Sequence, residues 1–306
     1  MTLDFQYNIS APPPPPESKY DLIQDLVDMV NISEISSIRQ SVSAIIRVIH
    51  DPMATVKELK SVILLDPPLT ARVLKTANSA YYSRSFSSSF VDIEQAIIWM
   101  GSEIIKELAL NQKVCEIFNK ADGYQEFSRK SLWSHSIAVA LMVKAIYRKE
   151  YGLKGENAYV AGLLHDLGII AEDQFLSEDF REVIRISQQK FVHISAAEQE
   201  MFGYDHADIG AAICLSWGLP DELVSVIGNH NTPGRAEIQF SRLASTLYIS
   251  DYICQNNGFN FGVVPKHNPI LFKECLQITE LQSYGLDIIF KSVKEEMTIM
   301  MEKGFL

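Results

Sequence analysis

Ala161-Gly162-Leu163-Leu164-His165-Asp166-Leu167-Gly168 is the stretch whose reading decides the fold. Apolar residues run up to an adjacent imidazole and carboxylate, and a glycine follows. The spacing predicts the last turns of a buried helix, Ala158 to Leu167, closed by Gly168 as a cap. A buried carboxylate with no compensation costs several kcal/mol, so His165 and Asp166 must be paired, solvated or placed on a metal. Candidate partners lie far off in the chain at His135, His206, His230 and Asp251, each inside a helical apolar pattern.

Working outward from that stretch, helical signals continue in both directions. Toward the N-terminus, Leu22 to Val30 and Ile38 to Ile49 repeat apolar residues at helical spacing. Thr55-Val-Lys-Glu58 has the spacing of a capping box, and Asp66-Pro67 reads as an N-cap followed by proline in the first turn. Asn78-Ser79 ends that helix before a serine-rich loop, Ser83 to Ser89. Ile93 to Met100 and Ile104 to Phe118 follow, parted by Gly101 as C-cap and Ser102 as N-cap. No period-two run with turn chemistry occurs, so strands are not expected. Toward the C-terminus, Phe180 to Lys190, His193 to Met201, Ile209 to Trp217, Glu222 to Gly228 and Phe240 to Cys254 read as further helices, and Leu276 to Met301 as a last one packed back on the body. The expectation is an all-α protein of two packed helical lobes. A proline-rich lead-in covers 1–19, an N-terminal lobe 20–125, a second lobe 126–256 and a C-terminal helical extension 257–306. Pro12 to Pro16 locks an extended helix that joins no packed element and serves as a spacer.

Composition narrows the function. The 306 residues are 47% hydrophobic, enough for a large core. A net charge of −11 and a pI near 5.1, with no Lys/Arg cluster, argue against a nucleic-acid partner and fit a cytoplasmic protein. Met1 to Ser10 carries Asp4 and lacks the basic-then-apolar order of a secretory signal. Ile137 to Ile146 is too short for a membrane span, which needs about 20 apolar residues. Cys115, Cys214, Cys254 and Cys275 show no CxxC spacing and read as reduced core thiols.

His135, His165-Asp166, His206, His230 and Asp251 fall 30, 40, 24 and 21 residues apart, each on its own helix or helix end, and a bundle can gather them. Imidazole nitrogen with carboxylate oxygen suits iron, manganese or zinc, as one ion or a bridged pair, and the hydrolytic chemistry of such centres is directed at phosphodiesters. The bland alternative is a hydrogen-bonded polar core. His50-Asp51 is a second such pair, but Pro52 follows it, so Asp51 reads as a solvated cap. His193 and His267 read as surface residues.

The order H…HD…D of His135, His165-Asp166 and Asp251 resembles the HD superfamily of metal-dependent phosphohydrolases, which are all-helical. Asp66-Pro67-Pro68-Leu69-Thr70 through Ala77-Asn78-Ser79-Ala80-Tyr81, Ala96 to Gly101, Gly162-Leu-Leu-His-Asp-Leu-Gly168, and Glu198 through Gly203-Tyr-Asp-His206-Ala207 to Trp217-Gly-Leu-Pro220 narrow the resemblance to the HDOD domain, over about 34 to 255. That resemblance implies a bacterial signalling output module related to the HD-GYP cyclic-di-GMP phosphodiesterases. Its partner would be a protein in a signalling pathway, with a small ligand or cyclic dinucleotide as a further possibility. Two departures bear on catalysis. Ile169 stands where those enzymes carry a lysine after His-Asp-x-Gly, and Asn229-His230-Asn231-Thr232-Pro233 replaces their His-His and Gly-Tyr-Pro. The cation that would hold a phosphate is gone. The expectation is therefore a non-catalytic module whose cluster is structural or holds a metal vestigially; in the alternative, a working phosphohydrolase, Asp166 is the residue catalysis depends on.

Overall fold

The computed structural model describes residues 18–79, 90–119, 127–262 and 268–302. The proline run, the serine-rich loop, the expected lobe boundary at 125–126 and His267 lie outside them. Among the described residues the chain is helical throughout, with no strand.

The N-terminal helices are α1 (Lys19–Ile32), α2 (Glu34–His50), α3 (Val56–Leu64), α4 (Pro67–Ala77), α5 (Ile93–Met100) and α6 (Ser102–Phe118). Their ends follow local chemistry. Thr55 and Glu58 close the expected capping box on α3, and Asp66 caps α4 by accepting from the Leu69 N–H. Gly101 is the expected C-cap of α5, but Ser102 is not the N-cap of α6. Gly101 serves both as C-cap of α5 and N-cap of α6, in a left-handed conformation at φ 89°, and Ser102 is already helical.

The second set is α7 (Arg129–Lys149), α8 (Glu156–Leu164), α9 (Leu167–Phe175), α10 (Ser177–Lys190), α11 (Ile194–Phe202), α12 (His206–Ser216), α13 (Asp221–Gly228) and α14 (Ser241–Asn256), with a 3-10 turn at Pro233–Arg235. Helix α7 is buried on most sides from Leu132 to Ile146, as befits a central helix, and α6, α8, α14 and α16 (Ser283–Glu302) pack on it. Each fully buried Leu, Ile or Val there contributes roughly 1.5–3 kcal/mol by leaving water. Helix α1 reaches across to α9 and α12.

Three further expectations are corrected. Gly168 is not a cap: α8 stops at Leu164, His165-Asp166 is a two-residue break, and Gly168 lies in the first turn of α9. Its missing side chain has a different purpose, since a Cβ at that place would stand 2.0 Å from the His206 carbonyl oxygen. The C-terminal stretch is two helices, α15 (Pro269–Thr279) and α16, because Glu280 turns left-handed at φ 57° between them. His193 is half-buried at the N-cap of α11, where its Nδ1 accepts from the Ser195 N–H. The cysteines are free thiols, three of them buried, and no helix among the described residues is long and apolar enough to cross a membrane.

Candidate metal centre

Three helices and two helix junctions bring the six residues to one point. His135 comes from the second turn of α7, His165 and Asp166 from the α8–α9 break, and His206 from the first residue of α12. His230 follows α13 and Asp251 lies in α14. All six are buried, none more than 3% exposed. Gly168 makes this possible by letting the start of α12 rest against α9 with no atom between the backbones.

Every ring is held from behind. His135 Nδ1 lies 2.9 Å from the Phe259 carbonyl, His165 Nδ1 2.8 Å from that of Gly162, and His230 Nδ1 2.7 Å from that of Ile227. His206 Nδ1 is 2.7 Å from the Glu198 carboxylate. A carbonyl or carboxylate only accepts, so each Nδ1 carries hydrogen and each ring turns Nε2 on the centre.

The inward atoms form two groups that share Asp166. On one side His135 Nε2 is 3.3 Å from His165 Nε2, 3.2 Å from Asp251 Oδ1 and 3.5 Å from Asp166 Oδ2, and His165 Nε2 is 3.2 Å from that same Oδ2. On the other His206 Nε2 is 3.2 Å from His230 Nε2, and the two stand 3.5 and 3.7 Å from Asp166 Oδ1. The Asn231 side-chain amide is 3.0 Å from His206 Nε2.

Nitrogens and carboxylates this close need positive charge among them. In the chain alone, protons supply it. Burial pushes His165 down, but Asp166 and Asp251 together hold it above its ordinary value. Burial opposes charge on His206 as well, yet Glu198 and Asp166 push it up to about 10. Burial, with His165 and His206 alongside, drives His230 down to about 4. Burial would raise Asp166, and the imidazoles of His165, His206 and His135 outweigh it and hold the carboxyl well below the usual range.

The donor set fits metal as well. Bonds of about 2.1 Å to imidazole and carboxylate give ligand–ligand edges of about 3.0–3.4 Å in a tetrahedral or octahedral shell, close to the separations found. Asp166 Oδ2 is buried and faces ring nitrogens, His165 Nε2 at 3.2 Å and His135 Nε2 at 3.5 Å, where a cation would satisfy it. Two triads, His135-His165-Asp166 and Asp166-His206-His230, each offer three convergent ligand atoms, and Asp251 Oδ1 lies beside the first, 3.2 Å from His135 Nε2 and 4.0 Å from His165 Nε2. Such a centre can hold one ion or a carboxylate-bridged pair. Ile169, by contrast, is fully buried among apolar groups, and the nearby Arg129 is engaged with Asp173.

The sequence reading brought the six residues forward together and left out what stands behind them. Glu198, Glu172, Asn231 and the Phe259 carbonyl were not among its site residues. A usable signal existed for Glu172 and Glu198, each an acid on an otherwise apolar helical face; a backbone carbonyl leaves none. His50 and Asp51 are exposed, with Asp51 accepting from the Met53 N–H at 2.8 Å, as a solvated cap should.

The HDOD domain profile matches residues 35–233. An uncharacterized protein of Treponema pallidum (strain Nichols) is 23% identical over 222 residues, 72% of this chain, and the chain spans only 42% of that relative's length. Among solved structures, an HDOD domain protein of unknown function from Geobacter sulfurreducens superposes with a TM-score of 0.72 at 24% identity, covering 93% of this chain and 96% of that one. A candidate signal transduction protein from Marinobacter aquaeolei VT8 gives 0.68 at 20%, over 94% of this chain and 65% of that one. A candidate phosphohydrolase from Shewanella amazonensis SB2B gives 0.64 at 22%, over 92% and 95%. At these identities the likeness to the solved structures is one of fold. With its profile match spanning most of its length, the chain belongs to the HDOD domain family.

Proposed function

We propose that this chain is a bacterial signal-transduction output module whose buried His/Asp centre holds one or two divalent ions, iron, manganese or zinc, without turning over a substrate. It acts in the cytoplasm through a protein partner, with residues 20–125 and 126–256 as its two lobes and 257–306 as an extension. The observation that carries the metal is the convergence of four Nε2 atoms, each ring fixed from behind by an acceptor, on two buried carboxylates. The absence of catalysis rests on residue chemistry: Ile169 is apolar and buried, and Arg129 is committed to Asp173. Neither side chain offers the dianionic cyclic dinucleotide a cation for its phosphates.

His135, His165, Asp166 and Asp251 would hold the first ion, and Asp166, His206 and His230 a second. A bound divalent ion would supply Lewis acidity and a fixed charge. The chain's own residues orient the rings and exclude water.

A second reading, a metal-dependent phosphohydrolase on a nucleotide or cyclic dinucleotide, is favoured by one observation. Asp166 turns one oxygen to each histidine pair, an arrangement suited to two bridged ions. Elemental analysis of purified protein, followed by assay on cyclic-di-GMP and bis(p-nitrophenyl) phosphate with added manganese or iron, separates the two. We expect one or two ions per chain and no turnover. Turnover abolished by Asp166→Ala would establish the enzyme instead. Absence of metal, with Asp166→Ala unfolding the chain, would reduce the cluster to a polar core network.

A further inference from the structure

Behind His206 lies an arrangement that none of the other three imidazoles has. Their Nδ1 atoms meet backbone carbonyls, whereas His206 meets Glu198, whose Oε2 also accepts the His206 backbone N–H at 2.9 Å. One carboxylate oxygen thus holds both the ring and the first residue of α12. The other oxygen of Glu198 is buried with no donor. Glu172, from α9, adjoins it. That side chain is fully buried, both of its oxygens lack donors, and its carboxyl touches Glu198.

Two touching carboxylates that are both ionised repel each other, and burial magnifies the cost. A single proton on one of them turns the repulsion into a hydrogen bond and gives the orphaned oxygen of the other a donor. If Glu172 is the neutral acid, its O–H donates to Glu198, which then receives three hydrogens: ring, backbone and acid. The reverse assignment would weaken the acceptor that His206 needs.

We infer that Glu172 and Glu198 are a positioning pair for the His206 end of the centre, in which the Glu172 carboxyl donates to Glu198 and Glu198 Oε2, by accepting from both the ring and the backbone of His206, fixes the ring with Nε2 presented to an ion. The inference rests on the metal-centre reading and adds to it the residues that orient one ligand. A carboxylate behind a ligating imidazole raises its basicity and locks its tautomer, and losing such a partner weakens metal binding about 10–100-fold. Burial together with the neighbouring Glu198 holds Glu172 well above the usual carboxylate range, in keeping with the neutral role.

Isosteres separate the two carboxyls. The metal-free chain is titrated with Zn2+ or Mn2+ by calorimetry, and the ion belonging to this end is identified as the one lost in His206→Ala. Glu172→Gln keeps a neutral donor toward Glu198, so that ion should bind within about twofold of the parent chain. Glu172→Leu removes the donor and should weaken it measurably. Glu198→Gln keeps the shape but loses the charge, and should weaken it about 10–100-fold. In NMR spectra the hydrogen-bonded His206 Nδ1–H resonance should persist in Glu172→Gln and shift or vanish in Glu198→Gln, a change that packing alone would not produce. Helical circular dichroism checks folding. Should Glu198→Gln fail to fold, the Glu172→Gln and Glu172→Leu pair carries the test. Equal damage from Glu172→Gln and Glu172→Leu, or unchanged affinity in Glu198→Gln, overturns the pair while leaving the metal centre standing. No ion bound by the parent chain at all overturns the metal-centre reading, and the pair's role with it.

Discussion

His50-Asp51 and His165-Asp166 are the same dipeptide at the same kind of place, the C-terminal end of a helix, yet their surroundings are opposite. His50 lies in solvent with its Nδ1 3.0 Å from the Asn157 amide, and Asp51 caps a turn. His165 and Asp166 have no solvent and are met by three further imidazoles and Asp251. The dipeptide is therefore not the determinant. What differs is the next element: Pro52 sends the chain away after Asp51, whereas Leu167 opens a new helix at once and leaves the pair in a crevice that α7, α12 and α14 cover.

The comparison breaks most visibly at the carboxylates. Asp166→Ala should abolish metal uptake and destabilise the chain by about 3–5 kcal/mol, because it strips buried imidazoles of their counter-charge. Asp51→Ala should cost no more than about 1 kcal/mol and leave metal content unchanged. Urea unfolding and elemental analysis of the two variants read both effects.

Next in size is the glycine that seats α12. Gly168→Ala places a methyl 2.0 Å from a backbone oxygen that cannot rotate away, so we expect a loss of about 3 kcal/mol and weaker metal binding. Gly203→Ala, where a Cβ meets nothing within 4 Å but φ is 76°, should cost only about 1 kcal/mol and leave the centre intact. Thermal unfolding of both variants with and without metal tests the ordering.

A smaller effect sharpens the contrast from the N-terminal helices, where carboxylates are paired with lysine instead of imidazole. Burial would raise the Asp66 carboxyl, but Lys113 at 2.7 Å and the Leu69 N–H hold it below its ordinary value. Its folded pKa is thus lower than its unfolded one. The stability it adds is complete above the unfolded value near 3.9 and is lost as pH falls through the folded one. Asp66→Asn should flatten the acid side of the stability curve between about pH 5 and 3. An unchanged acid limb would mean that Lys113 contributes nothing. Smallest of all, His50→Ala should alter stability by no more than about 0.5 kcal/mol, an exposed change made far from the centre.

Much of this was legible beforehand, for definite reasons. Capping at Thr55 and Asp66 is local chemistry, written within four residues, and it placed α3 and α4. The six polar residues stood out because each interrupts an apolar face. Gly168 was misread because a glycine after an apolar run usually caps a helix, and only the folded chain shows His206 pressed against it. The break at Glu280 escaped notice since no glycine or proline marks it. The hidden supports share one property: Glu198 is eight residues from the ring it holds, and Phe259 serves His135 across 124 positions through a carbonyl that every residue possesses.

That last contact has a practical bearing on where this protein is cut. A fragment trimmed to 35–233 would retain all four imidazoles and Asp166 but neither Asp251 nor the Phe259 carbonyl, and it would also lack α1, which lies against α9 and α12. Such a fragment could look complete by homology and still leave the His135 ring free to spin, so biochemical negatives obtained with it would speak of the scissors and not of the protein.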